Sequence, residues 1–234
     1  MNRKIKALGL ALVAVIAMSA LSASAASAAD EFTAAAYPAL AKGSQEGATN
    51  YFEATPGNKT ECKVATYQGT LAAASKTITV TPHYAECTAA GLPTTIHLNG
   101  CDFLFHTTGT NASNNVIGTA DVVCPVGGTI EITVGSVCQV HVKPQTGLTG
   151  VTFKNVANGD VTVEVDITNQ IKYVDTDTPS SLFCPFTNHT FEGANGSFVS
   201  NVLLEGFEDS GLTTGPTGAN TTYKEGPTRN IDVL

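Results

Sequence analysis

Apolar and polar residues alternate along most of the chain beyond its N-terminal segment. In TIEITV (129–134), Ile130, Ile132 and Val134 share one face. In CQVHV (138–142), Cys138, Val140 and Val142 do. In DVTVEVDI (160–167), Val161, Val163, Val165 and Ile167 lie opposite Thr162, Glu164 and Asp166. A period of two belongs to strands, whose successive side chains point to opposite faces. Helical periodicity is nearly absent after residue 28. Thr, Val, Gly and Asn dominate, as suits strands and tight turns. The pattern predicts many short antiparallel strands in an all-β, β-sandwich-like two-layer domain.

Alternation also predicts register, because a slip of one residue turns the apolar set outward. For 129–142 it pairs Ile132 with Cys138 and Ile130 with Val140, leaving Glu131 opposite Gln139 and Thr129 opposite His141. For 151–165 it pairs Phe153 with Val163 and Val151 with Val165 around Asn158-Gly159. A hairpin across AAASK sets Leu71 against Ile78, Ala65 against Tyr84, Lys63 against Glu86 and Cys62 against Cys87. Pro82 cannot donate to a ladder, so its strand should be an edge nearby. Folding CDFLFHTTGTNASNNVIGTADVVC about GTNASNN sets Cys101 against Cys124, Phe103 against Val122 and Phe105 against Ala120. On the other face Leu104 meets Asp121 and His106 meets Thr119, with Asp102 close by.

The N-terminus carries a different signal. Arg3, Lys4 and Lys6 precede an apolar run from Ala7 to Leu21, and a small-x-small site follows at Ala26-Ser27-Ala28. This is the layout of a secretory signal peptide spanning 1–28, and the run is short for a membrane span. The expected mature chain, 29–234, is a single all-β domain, secreted or held in the cell envelope, with no membrane span. Within it, 208–229 is rich in Gly, Thr and Pro and reads as irregular. The closing NIDVL reads as a last strand pinning the terminus. Export also decides the cysteines. All six lie after residue 28, and an even number in an exported chain implies three disulfides. The hairpins give Cys62–Cys87 and Cys101–Cys124, and elimination leaves Cys138–Cys184. Zinc fits poorly, because no CxxC-like close ligand pair occurs.

Several segments together are familiar: FTAAAYPA, ITVTPHYAECTAAG, NGCDFLFH, DVVCPVGGTIEITV, CQVHVKPQTGLTGVTFKN and IKYV. The chain resembles, over most of 32–190, a group of exported, cysteine-containing, β-rich proteins of high-GC soil actinobacteria whose function is uncharacterised. The resemblance implies a bacterial envelope or extracellular setting and the disulfides, and it brings no catalytic residues. In that setting the Asn-x-Ser/Thr triplets at Asn58, Asn111, Asn188, Asn195 and Asn220 are ordinary products of an Asn- and Thr-rich chain.

Charge narrows the partners. The whole chain has net charge −8; the signal peptide holds three basic and no acidic residues, so its loss leaves −11. That argues against nucleic acid or anionic lipid as a partner, since both call for a basic surface. The chemistry offered is sparse. No GxSxG elbow, Walker loop or GxGxxG occurs, so no cofactor is expected. Asp175-Thr176-Asp177 lacks the rest of a calcium loop. His97, His106 and His141 would need to converge with a carboxylate to hold zinc or copper, and no metal site is expected. Two places remain as candidate binding residues: the face shared by Asp102, His106 and Asp121, and the strand pair Glu164 and Asp166. The second pair also admits a glycosidase-like hydrolase, which needs two carboxylates at a defined separation. An ordinary solvated strand face explains both places as well. The reading that follows is an exported, non-catalytic binding or surface module whose partner is a surface glycan, a cell-wall polymer or a protein. The alternative is a secreted hydrolase working on the acidic face.

Overall fold

A computed structural model describes residues 30–55, 58–135, 138–156, 159–175, 193–209, 225–229 and 231–233. The expected signal peptide, Thr176, Asp177 and Cys184 lie outside them, as does most of 208–229. The described residues contain no helix, and therefore none long and apolar enough to cross a membrane. They form fourteen strands: β1 (Phe32–Ala34), β2 (Ala39–Thr55), β3 (Asn58–Leu71), β4 (Thr77–Ala89), β5 (Leu92–His97), β6 (Asp102–Thr110), β7 (Val116–Val123), β8 (Ile130–Val134), β9 (Cys138–Val142), β10 (Gln145–Val156), β11 (Asp160–Asp175), β12 (Gly193–Asp209), β13 (Glu225–Arg229) and β14 (Ile231–Val233).

All pairings are antiparallel, as alternation predicts. They do not make the two separate sheets of a sandwich. β12 pairs with β2, β2 with β3, β3 with β4, β4 with β6, β6 with β7, β7 with β10, β10 with β11, and β11 returns to β12. That is a closed ring of eight strands. A second ring shares the long strands β11, β12, β2, β3 and β4 but closes through β5, β8 and β9. The molecule is thus one elongated barrel. Five long strands make one wall, and two three-stranded trios lie side by side to complete it. Closure satisfies strand edges that an open sheet would leave unpaired.

The trios meet the long wall at two seams. β4 pairs with β6 through Thr77–Val80 and with β5 from Cys87, so Thr81–Glu86 has no ladder on that side. Pro82 lies in this stretch, at the edge its missing N–H requires. On β11, pairing passes from β10 (up to Val165) to β9 (from Tyr173). Side-chain amides stand in for the ladder there. Gln145 accepts from Lys172 N–H at 2.8 Å and donates to Lys172 O at 3.1 Å; Gln170 accepts from Thr149 N–H at 2.9 Å and donates to Thr149 O at 3.0 Å.

Registers at three hairpins match the alternation. Cys62 is opposite Cys87 and Ala65 opposite Tyr84. Phe103 is opposite Val122 and His106 opposite Thr119. Phe153 is opposite Val163. Lys63 and Glu86 form an exposed ion pair at 3.7 Å. The β8–β9 register differs: Ile132 faces Val140, Ile130 faces Val142, and Glu131 faces His141 instead of Gln139. Val134 meets Cys138, so the loop is shorter than expected, and it opens on Gly135 at φ +59°. The slip is two residues, which keeps every side chain on its face, so alternation could not detect it.

Two disulfides brace the wall, Cys62–Cys87 and Cys101–Cys124, with Cα–Cα distances of 3.9 and 4.1 Å. Cys138 is also disulfide-bonded, and its expected partner Cys184 lies outside the described residues. The NIDVL strand forms: β14 pairs with β1, and Ile231 N–H bonds Gly159 O. This small two-stranded sheet carries Phe32, fully buried, onto Phe153 at 5.1 Å between ring centroids. The 208–229 segment differs at its ends, where Asp209 pairs with Glu225. EGPTR has no apolar alternation, so backbone pairing alone places it in the sheet.

Candidate functional site

Apolar side chains face the barrel interior and polar ones face out, the inverse of a membrane barrel. The outward candidates are therefore side chains on the outer wall, half-buried or exposed except Asp121, which is buried. On β6 and β7, Asp121 takes two hydrogen bonds: Gly147 N–H donates to Oδ1 at 2.7 Å, and His106 Nε2 lies 2.9 Å from Oδ2. The hydroxyl of Thr77, opposite His106 on β4, lies 3.3 Å from that of Ser75. Asp102 is four residues from His106 on one strand, a separation of about 13 Å. It accepts a hydrogen bond from Thr81 Oγ1 at 2.6 Å. Burial holds its carboxyl above the usual carboxylate range, against the lowering effect of that hydroxyl. The structure thus joins His106 to Asp121, leaves Asp102 a diagonal cross-strand neighbour of Asp121 on the same face, and sets it apart from His106 along the strand.

Glu164 and Asp166 do share an outward face on β11. Glu164 is ion-paired with Lys154 of β10, and Asp166 accepts from Thr168 Oγ1 at 2.8 Å. Neither lines a described cavity. Glu131 lies on β8, in the other trio. The β5–β8–β9 register does place His97 and His141 on either side of Glu131. Even so, no group of three metal-ligating side chains converges among the described residues.

The interior is different. A cavity of about 60 Å³, measured as the space open to the centre of a water-sized sphere, is lined by apolar side chains such as Phe52, Ile96, Ile132 and Ile171. A second of about 30 Å³ lies toward the Phe32 end, with Ile78, Val80 and Phe153 on its wall. Phe103 and Phe198 line both, their rings 5.9 Å apart, and form the partition between them. One water needs about 10–15 Å³ of such space, so the larger cavity holds several times that.

A polar cluster interrupts this apolar interior. The Asn50 amide donates to Tyr67 Oη and to Ser200 Oγ, both at 3.0 Å, and the two hydroxyls are 3.2 Å apart. Tyr84 stacks edge-on against Tyr67 at 6.2 Å. Its hydroxyl is buried and interacts with the Tyr67 hydroxyl only weakly, short of a full hydrogen bond; the Thr60 hydroxyl, on a residue 1% exposed, has no hydrogen-bond partner. Asn50, Thr60 and Tyr84 all line the larger cavity. Burial raises the pKa of both phenols, that of Tyr84 strongly, with the Tyr67 phenol adding to it. Both therefore remain protonated across the physiological range and able to donate.

Sequence reasoning missed these residues because it searched outward faces. A signal existed on β12, where FVSNVLL sets Ser200 among Phe198, Val202 and Leu204. On β3 and β4 the inward phase changes between Cys62 and Ala65 and between Tyr84 and Cys87. Val64 is exposed there, and Glu86 has φ +53°. Tyr84 is in phase with Ile78 and Val80, so a period of two from Ile78 sets it inward, and only counting back from Cys87 turns it out. The fold and interior define a closed antiparallel β-barrel with a mainly apolar internal cavity and a small neutral polar cluster. No protein family, curated protein or solved structure matches the chain.

Proposed function

We propose that the protein is an exported, non-catalytic β-barrel module of the cell envelope or extracellular space, acting by binding. The observation that carries this is the state of its outward ionisable groups. His106 is joined to Asp121, Glu164 to Lys154, and Asp102 to Thr81, each satisfied within the wall and none gathered around a shared cleft. A hydrolase needs acid and base converging on one concave point. The signal-peptide layout, the acidic charge and the disulfides support export, and a third disulfide, Cys138–Cys184, belongs to the same reading. The resemblance to exported actinobacterial β-rich proteins agrees with it. A surface glycan, cell-wall polymer or protein remains the partner class for the outer wall.

The test is retention of the oxidised protein on purified peptidoglycan, cell-wall polysaccharide and whole envelope, alongside turnover of chromogenic glycosides. Retention on any of the three, lost in competition with the soluble polymer, supports the reading. Turnover that Glu164→Gln abolishes would replace it with the hydrolase.

A further inference from the structure

We propose that the larger cavity is a binding site for a small neutral ligand with an apolar body and one hydroxyl or carbonyl group, anchored by the hydroxyls of Tyr84 and Thr60. This goes beyond the outer-wall reading, since a polymer cannot enter the barrel. The argument begins with cost. A buried hydroxyl without a partner sacrifices its hydration, about 1–3 kcal/mol each. Phenylalanine and valine would fill the same shapes without that loss. The Thr60 hydroxyl, without a partner, and the Tyr84 hydroxyl, short of a full hydrogen bond, border one cavity. The neighbouring Asn50–Tyr67–Ser200 network is internally bonded, so it fixes the wall beside Tyr84.

The chemistry of the lining sets the ligand class. No lysine, arginine or histidine lines either cavity among the described residues. A carboxylate or phosphate would be stripped of water with no countercharge, at a cost of many kcal/mol. A neutral hydroxyl or carbonyl would meet donors and acceptors, and its hydrocarbon would meet Phe52, Ile96, Ile132 and Ile171. Eight-stranded barrels are about the width that holds one small ligand. Movement of the Phe103 and Phe198 rings would join the two cavities and admit a longer body.

Phenol and toluene are the probes, matched in shape and differing in the hydroxyl. Isoleucine-methyl NMR of the oxidised full chain reads the site directly, because Ile96, Ile130, Ile132, Ile167 and Ile171 line the cavity and Ile117 does not. Phenol should shift those methyls saturably and leave Ile117 unmoved. Toluene should bind about fivefold to tenfold more weakly, the worth of one hydrogen bond. Tyr84→Phe and Thr60→Val should each weaken phenol toward the affinity of toluene, and the double variant should bring it there. Cavity methyls that respond to neither probe would overturn the proposal, as a cavity that takes only water. So would equal affinities that neither substitution changes. Polymer retention is measured separately, so failure here and failure of the outer-wall reading are distinguishable.

Discussion

The buried Thr60 and Tyr84 hydroxyls make a prediction of unusual sign. Removing a buried hydroxyl normally destabilises, because its hydrogen bonds go with it. Tyr67→Phe should behave that way. Its hydroxyl accepts from Asn50 and lies 3.2 Å from Ser200 Oγ, and its loss leaves both partners short in a buried site. Two net bonds at about 0.5–1.5 kcal/mol each give a loss of about 1–3 kcal/mol. Thr60→Val and Tyr84→Phe should do the reverse. Neither hydroxyl makes a full hydrogen bond, and each substitution keeps the shape while removing the desolvated oxygen. Each should therefore gain about 1 kcal/mol or more, the lower end of an unsatisfied group's cost. The assay is equilibrium unfolding in urea with disulfides intact. With m of about 2 kcal/mol/M, the gains appear as midpoint shifts of about 0.5 M and the Tyr67→Phe loss as a shift of similar or larger size downward. An unchanged m would show that stability alone has moved. If Thr60→Val and Tyr84→Phe lower the midpoint as Tyr67→Phe does, the hydroxyls are hydrogen-bonded in solution and the cost argument fails.

Three further outcomes follow from other parts of the wall. The Cys62–Cys87 and Cys101–Cys124 loops do not overlap, with separations of 25 and 23 residues. Replacing either pair by alanine should cost about 3.5 kcal/mol in the chain-entropy model, nearly additively, and urea midpoints of single and combined variants check this. Ala90 and Gly91 form the two-residue β4–β5 turn, with φ +49° and +79°. Ala90→Gly or Ala90→Asn should stabilise by about 0.5–1 kcal/mol, read as a higher Tm, and a lower Tm would contradict the turn geometry. The Asp102 carboxyl is raised above 3.8 by burial, so the fold binds its proton more tightly than the unfolded chain does. Its favourable contribution is complete below the unfolded value and is lost as pH rises through the folded one. Midpoints measured across about pH 3 to 6 should show a downward component in the wild type that Asp102→Asn lacks.

Local features were legible in the sequence and closure was not. Cys62/Cys87, Phe103/Val122 and Phe153/Val163 belong to hairpins, where a short turn leaves few registers and alternation selects among them. The β8–β9 slip escaped because moving Ile132 from Cys138 to Val140 preserves both faces. Ring closure depends on β12 with β2, β11 with β12 and β4 with β6, pairings between segments far apart in sequence. Nothing in a two-residue period names a strand's distant neighbour. Asn50 escaped for a related reason. Ser200 pairs with Asn50 but Val202 with Gln45, so four residues of β2 bulge from the ladder and break the pattern that would place Asn50 inside.

The polar cluster lies where the two rings meet, and that position has a physical consequence. Ser200 pairs with Val165, where the β10 ladder on β11 ends. Tyr84 lies within Thr81–Glu86, the stretch of β4 that neither β5 nor β6 pairs. Phe198 and Phe103, the partition between the cavities, border the same level. The long strands β3 and β12 run on through this level, but the β2–β3 ladder is interrupted there between Ser44 and Tyr51, where β2 bulges. The facing side is held at its seam by few groups, the Gln145 and Gln170 amides among them. Local opening follows the path that breaks the fewest hydrogen bonds. A ligand at the proposed site would therefore enter past an interrupted ladder, at this seam or at the β2 bulge.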